Sequence, residues 1–155
     1  MVDIKKIAAV ASQAVSDTLI RNLQAMPADK QTWKPMDIGR SALDQVQECA
    51  VINRWIAETY KTKVLPPLDK DAFGAAKTEM DTPEKACAAL NEATTQLCDA
   101  ISSASDADLE VQVTLPWDST PTPLAALFLV PYWNNAYHIG QLCYVQTLYG
   151  DNEMH

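Results

Sequence analysis

The residues with the clearest chemical potential lie in the run Asn134-Asn135-Ala136-Tyr137-His138-Ile139-Gly140-Gln141-Leu142. Asn134, His138 and Gln141 fall on one stripe of a 3.6-residue repeat, and that stripe is apolar on either side, at Leu124, Leu127 and Pro131 before it and Val145 and Leu148 after it. Phe128 flanks the stripe and widens its apolar part. An amide buried without a partner costs on the order of 2–7 kcal/mol, so these side chains need something polar to meet. Asn134 and His138 are four residues apart and rise from one helix face, a spacing that suits two ligands on one metal ion. Two simpler arrangements use the same residues: a core histidine bonded to a carbonyl or carboxylate, and Gln141 as a structural hydrogen-bonder. Pro131 and Gly140 cost roughly 3 and 1 kcal/mol inside a helix, and such local violations are expected at functional sites. Pro131 would free a carbonyl or kink the chain, and Gly140 would let a neighbouring element approach beside His138.

These residues need a scaffold, and four long helical stretches supply one. The first spans about 3–26, with Asp3 as N-cap, Ile4, Ile7, Ala8, Ala11, Val15, Leu19 and Leu23 at near-heptad spacing, and Pro27 beyond it. Residues 27–40 connect it to a second helix, and Trp33 is expected to plug that connection. Ser41 caps the second helix, Asp44 sits in its first turn, and Leu43, Val46, Ala50, Ile52, Trp55, Ile56 and Tyr60 form a broad apolar arc. A link over 62–80 is too long for a tight turn and predicts a crossover between parallel neighbours. Asp81 or Thr82 with Pro83 and Glu84 starts a third helix that runs to about 103. Residues 110–115 alternate like a strand, and because an isolated strand pair is marginal they are expected to lie over the bundle as an extended arm. Thr122-Pro123 is expected to cap a fourth helix reaching about 149. The reading is all-α: one four-helix-bundle domain over 1–155, with the long crossover between helices 2 and 3.

A net charge of −8 repels a phosphate backbone and argues against nucleic-acid binding. No apolar run approaches the roughly 20 residues that span a bilayer, and the first residues lack the pattern of a signal peptide. Cys49, Cys87, Cys98 and Cys143 are widely spaced and lie in helical patterns, which predicts buried free thiols and a cytoplasmic location.

The tail from Asn134 to Asp151 resembles the last helix of the DinB-like (YfiT-like) superfamily, where a His-x-x-x-His-(His)-Arg-Gly-Gln pattern closes the bundle. The stretch from Ser41 to Trp55 is similar to the family segment in which a serine precedes a metal-binding histidine by seven residues. Matched position by position, the resemblance places the family's three metal ligands on Glu48, Asn134 and His138. Only His138 keeps the usual identity; Glu48 and Asn134 stand where histidines are expected. A carboxylate, an amide oxygen and one imidazole imply a harder, more oxygen-rich site. Zinc or nickel is expected there ahead of manganese or iron. Glu48 borders the apolar arc, so a metal-free ion pair with His138 accounts for the same residues.

The resemblance further implies a metal- and thiol-dependent S-transferase or a hydrolase-like enzyme acting on a small molecule, with a low-molecular-weight thiol as cofactor. Gln141 and Tyr137 would orient the ligand. No basic cluster for an anionic thiol stands near these motifs. Two other readings stay open: a non-catalytic bundle that binds a small ligand or metal, as in a stress protein, and an interaction module whose polar stripe fixes helix register. A homodimer is a family-level expectation, matched by the aromatics of the last helix.

Overall fold

In the computed structural model, residues 3–155 are described; Met1 and Val2, the first two residues of the expected domain, lie outside them. Helix α1 spans Ile4–Ala25, and the Asp3 carboxylate accepts from the Lys5 and Lys6 backbone N–H groups at its start. A short α2 (Ala28–Gln31) and a single 3₁₀ turn (Pro35–Asp37) fill the connection to α3 (Ala42–Thr62). Trp33 is half-buried against the core and carries the Lys30 ammonium 5.4 Å above its ring. Ser41 caps α3 by accepting from Asp44 N–H, and Lys63 ends it in the left-handed region at φ 62°. Gly39 is required just before this cap: a Cβ there would stand 2.7 Å from the Pro35 carbonyl oxygen. That tight approach sets where Arg40 enters the bundle.

The long link contains a helix of its own, α4 (Lys70–Glu79), capped by Asp69. Next comes α5 (Pro83–Ser103), with Thr82 as cap and Pro83 in the first turn. One turn of helix, α6 (Asp106–Leu109), precedes two antiparallel strands, β1 (Gln112–Leu115) and β2 (Asp118–Pro123). Residues 110–115 are therefore not a lone arm. They pair with a second strand, and the hairpin offsets its marginal stability by burying Val113 and setting Trp117 against Trp55, ring centroids 6.1 Å apart. The last helix, α7 (Leu129–Leu148), consequently starts later than Thr122-Pro123 suggests, because 118–123 is strand and 124–126 a 3₁₀ turn. Pro131 then lies in the first turn of α7, where an N–H has no helical partner in any case, so it breaks nothing.

Two apolar clusters stack along the bundle. One gathers the end of α1, the starts of α3 and α5 and the end of α7, through Leu19, Leu23, Val46, Leu90 and Leu142. The other gathers the opposite ends, through Ala8, Ile56, Leu97, Ile101 and Leu127. Helices α3 and α5 therefore run parallel, both antiparallel to α1 and α7, as the crossover predicts. Main contacts link α3 to α5, α5 to α1, α1 to α7 and α7 to α3, which closes the ring of four. No helix among the described residues is long and apolar enough to cross a membrane.

Candidate functional site

The α3–α7 seam brings His138 to the centre of a polar cluster. His138 is 1% exposed, and both ring nitrogens are engaged. Nδ1 lies 3.1 Å from Gln45 Oε1 and 2.8 Å from Gln141 Oε1, while Nε2 lies 3.1 Å from Glu48 Oε1. Gln45 and Glu48 sit three apart on α3, and Gln141 sits three past His138 on α7, so helix periodicity alone aims them at one ring. All three facing atoms are acceptors. Nδ1 must therefore carry its proton, which leaves the Nε2 lone pair towards Glu48 in a neutral ring. A lone pair and a carboxylate oxygen at 3.1 Å repel unless a positive charge stands between them, either a second ring proton or a metal ion.

Glu48 is further tied by Arg40, whose Nη2 donates to its Oε2 at 2.6 Å. Arg40 Nε donates to Asp44 Oδ2 at 2.5 Å, and Lys77 from α4 closes the chain on Asp44 Oδ1. The hydrogen bond from His138, assisted by the charges of Arg40, outweighs burial and holds the Glu48 carboxyl below its ordinary range. Burial would raise Asp44, but the bonds from Lys77 and Arg40 win and lower it. The cluster is thus a chain of alternating charge, Lys77–Asp44–Arg40–Glu48, that ends on the His138 ring.

Asn134 is only half-buried; the fully buried asparagine of this turn is Asn135, one position round the helix. The amide Nδ2 of Asn134 points at the Cys49 sulfur, 3.6 Å away, which leaves its Oδ1 uncommitted among the described residues. Glu48 and Asn134 both border a cavity of about 810 Å³ whose remaining wall is apolar or aromatic apart from Thr122, with Trp117 from the hairpin and Leu127, Tyr132 and Trp133 among its residues. No group of three His, Cys, Asp or Glu side chains among the described residues is arranged around a metal position. An ion here would need the Asn134 oxygen as third donor beside Glu48 and His138 Nε2. That set fits a divalent cation in one respect: the Nδ1–H bonds to Gln45 and Gln141 leave Nε2 as the coordinating nitrogen.

Tyr137 packs edge-on to the His138 ring, centroids 5.3 Å apart, and stacks on Trp133 from the other side at 5.6 Å. It does not border the cavity that Glu48 and Asn134 share, so it supports the imidazole rather than the Nε2 position. Gly140 is exposed, and a Cβ there would meet nothing within 4 Å, so no element uses it for close approach. Cys143 is exposed and Cys98 half-buried, against the expectation of four buried thiols; Cys49 is fully buried, and burial pushes its thiol well above the ordinary range.

A second polar layer escapes periodicity altogether. Ser16 of α1 accepts from Asn53 of α3 at 3.3 Å and Asn135 of α7 at 2.9 Å, and lies 2.9 Å from Thr94 of α5. One side chain from each helix meets at the bundle centre. The four partners come from four different elements, so only their three-dimensional meeting reveals the layer.

No family model matches the sequence, and no curated protein does. Solved structures do match its fold. YfiT from Bacillus subtilis, a probable metal-dependent hydrolase with an unusual four-helix bundle topology, superposes with a TM-score of 0.78 at 16% identity, covering 94% of this chain and 87% of that one. The mycothiol-dependent maleylpyruvate isomerase superposes with a TM-score of 0.69 at 11% identity, over 92% of this chain and 63% of that longer one. A histidine-to-alanine mutant of the same isomerase gives the same score at 12% identity. The chain has the DinB/YfiT-like fold that its two motifs imply.

Proposed function

We propose that this chain is a metal-dependent enzyme of the hydrolase or thiol S-transferase class, with Glu48, Asn134 and His138 holding a divalent cation beside the Trp117–Trp133 cavity. The observation that carries the reading is the acceptor shell of His138, with Nδ1–H held by two amide oxygens and Nε2 facing a carboxylate that borders the cavity. Neighbours of the same fold are a probable metal-dependent hydrolase and a mycothiol-dependent isomerase, which supports metal- and thiol-related chemistry. A bound ion would supply Lewis acidity and lower the pKa of a water or thiol that reaches it. Zinc or nickel suits the imidazole, while the two oxygen donors also accept manganese or iron. The chain's own residues bind and orient: the apolar walls take the body of a small molecule, Gln45 and Gln141 lock the imidazole, and Arg40 with Tyr137 holds the cluster in place. Apolar lining of this kind also excludes water from the reacting end.

Arg40 favours a second reading. Its guanidinium already neutralises Glu48, so Arg40, Glu48 and a doubly protonated His138 make a complete ion-pair chain in a metal-free, ligand-binding bundle. Metal analysis of protein purified without a nickel column separates the two. Stoichiometric metal that is lost in His138→Ala supports the enzyme reading. No metal as purified and no uptake of zinc, nickel, manganese or iron in equilibrium dialysis leaves the ion-pair reading.

The exposed, uncharged outer stripe of α7, with Trp133, Tyr137 and Tyr144, is the surface through which we place a homodimer. Light scattering should return twice the chain mass; the mass of one chain contradicts it. Four unpaired cysteines suit the cytoplasm, the compartment we assign.

A further inference from the structure

On the Nδ1 side of His138, opposite the Glu48 cavity, the 35–40 connection, the start of α3 and α7 line a separate open cleft of about 470 Å³, bordered among others by Pro35, Arg40, Gln45, Gln141, Tyr137 and Tyr144. We propose that this cavity binds the carboxylate end of a small amphipathic acid, held by the Arg40 guanidinium and the Gln141 amide N–H groups.

Several hydrogen-bond donors at this cleft have no partner among the described residues. His138 Nδ1 takes the side-chain oxygens of Gln45 and Gln141, which turns the amide nitrogen of Gln141 away from the ring and leaves it uncommitted among the described residues. Gln45 Nε2 is already directed at the Arg40 carbonyl at 3.5 Å. Arg40 offers five N–H groups in a planar fork; Nε and Nη2 serve Asp44 and Glu48, and Nη1 has no partner among the described residues. Tyr137 and Tyr144 add two hydroxyls at the rim, both residues more than half exposed. No Asp or Glu borders the cavity, so its polar equipment is rich in donors and poor in acceptors. Guanidinium and amide donors together recognise a planar carboxylate. Apart from Gln45, the rest of the wall is apolar or aromatic, and the volume falls in the range of about 300–1,000 Å³ usual for small-molecule sites, which suits a short aromatic acid over a bare anion.

Nearby carboxylates do not forbid this. Asp44 and Glu48 are matched by Lys77 and Arg40, so the cluster presents no net negative charge to an incoming acid. Nor does the site require a metal, since it lies on the opposite side of the imidazole from Nε2.

The test is calorimetric titration of the full chain, stripped with a chelator, with phenylacetate and with its neutral isostere phenylacetamide. Saturable binding of phenylacetate at one site, at least tenfold tighter than the amide, is expected. Arg40→Gln and Gln141→Leu should each weaken phenylacetate at least tenfold and leave the amide unchanged. Gln141→Leu guards against misfolding, because Gln141 carries no charge, the Lys77–Asp44–Arg40–Glu48 ion pairs stay intact, and Gln45 still accepts from His138 Nδ1. Equal binding of acid and amide, binding untouched by Gln141→Leu, or no binding at all would each overturn the proposal. Binding that appears only after zinc loading also overturns it, since the carboxylate would then be on the metal. A protein that binds no metal yet passes the phenylacetate test would sink the enzyme reading and leave this site standing.

Discussion

Replacing Glu48 by Gln removes the central negative charge of the Lys77–Asp44–Arg40–Glu48–His138 chain while keeping shape and most packing. Glu48 Oε1 and Oε2 meet His138 at 3.1 Å and Arg40 at 2.6 Å, and the side chain is 23% exposed against 1% for His138. Exposed pairs contribute about 0–1 kcal/mol, and breaking a fully buried pair costs about 3–5 kcal/mol. Glu48 stands between these limits, with His138 losing its carboxylate and Arg40 keeping only Asp44, so a loss of about 2 kcal/mol is expected. For a chain of this length that corresponds to a melting temperature lower by roughly 4–8 °C. The assay is thermal and urea unfolding followed by circular dichroism, in chelator, so that metal does not contribute. The pH dependence has a definite sign. His138 first, then Arg40, lower the folded Glu48 pKa, so its contribution is fully present above the ordinary value of 4.5 and fades as pH falls through the lowered folded value. The gap between wild type and Glu48→Gln should therefore hold from neutral pH down to the ordinary carboxylate range and close as acidification continues through the folded value. A gap under about 0.5 kcal/mol at pH 7, or one that widens on acidification, would refute the reasoning.

Ser16→Ala removes the oxygen that accepts from Asn53 and Asn135; Asn53 still donates to Thr94 at 2.9 Å but the buried Asn135 amide nitrogen is left without a partner, so unfolding should register a loss of about 1–3 kcal/mol. Tyr60 is buried with its hydroxyl donating to the Leu124 carbonyl at 2.6 Å, and burial pushes its pKa up to about 12, so its phenolate absorbance should appear only near that pH; Tyr60→Phe should remove this late phase and cost about 1 kcal/mol. Cys143 should react rapidly with a disulfide reagent in the folded protein while Cys49 reacts only on unfolding, which mass spectrometry of the labelled peptides will distinguish. Trp117→Ala should open the larger cavity and weaken binding of apolar fluorescent probes there, with no change in Glu48-dependent stability.

Helix starts are the most legible part of the chain. Asp3, Ser41 and Thr82-Pro83 each act as local capping chemistry predicts, and the crossover follows from the length of the 62–80 link. The start of α7 misleads because Thr122-Pro123 satisfies the same rule, yet the tertiary pairing of 118–123 with β1 overrides it. Helix α4 is hidden by its ten-residue length, its internal glycine and its exposure. At the site, His138 meets Gln141 as the spacing suggests and Glu48 as the family resemblance implies, but Asn134 lies at the edge and Asn135 takes the core position. Arg40, Gln45 and Lys77 carry no signal, since a charge or amide next to a helix cap reads as solvated surface until its partner from another element is known.

The central claim is that acceptors surround His138, so that Nδ1 keeps the proton and Nε2 is the nitrogen available to a cation. Nitrogen-15 NMR of the imidazole, in stripped protein and after addition of zinc, reads both nitrogens directly. Nδ1 should be protonated in both states, with a zinc-induced shift confined to Nε2 and abolished in Glu48→Gln. A ring with its proton only on Nε2, or zinc that moves Nδ1 instead, would contradict it.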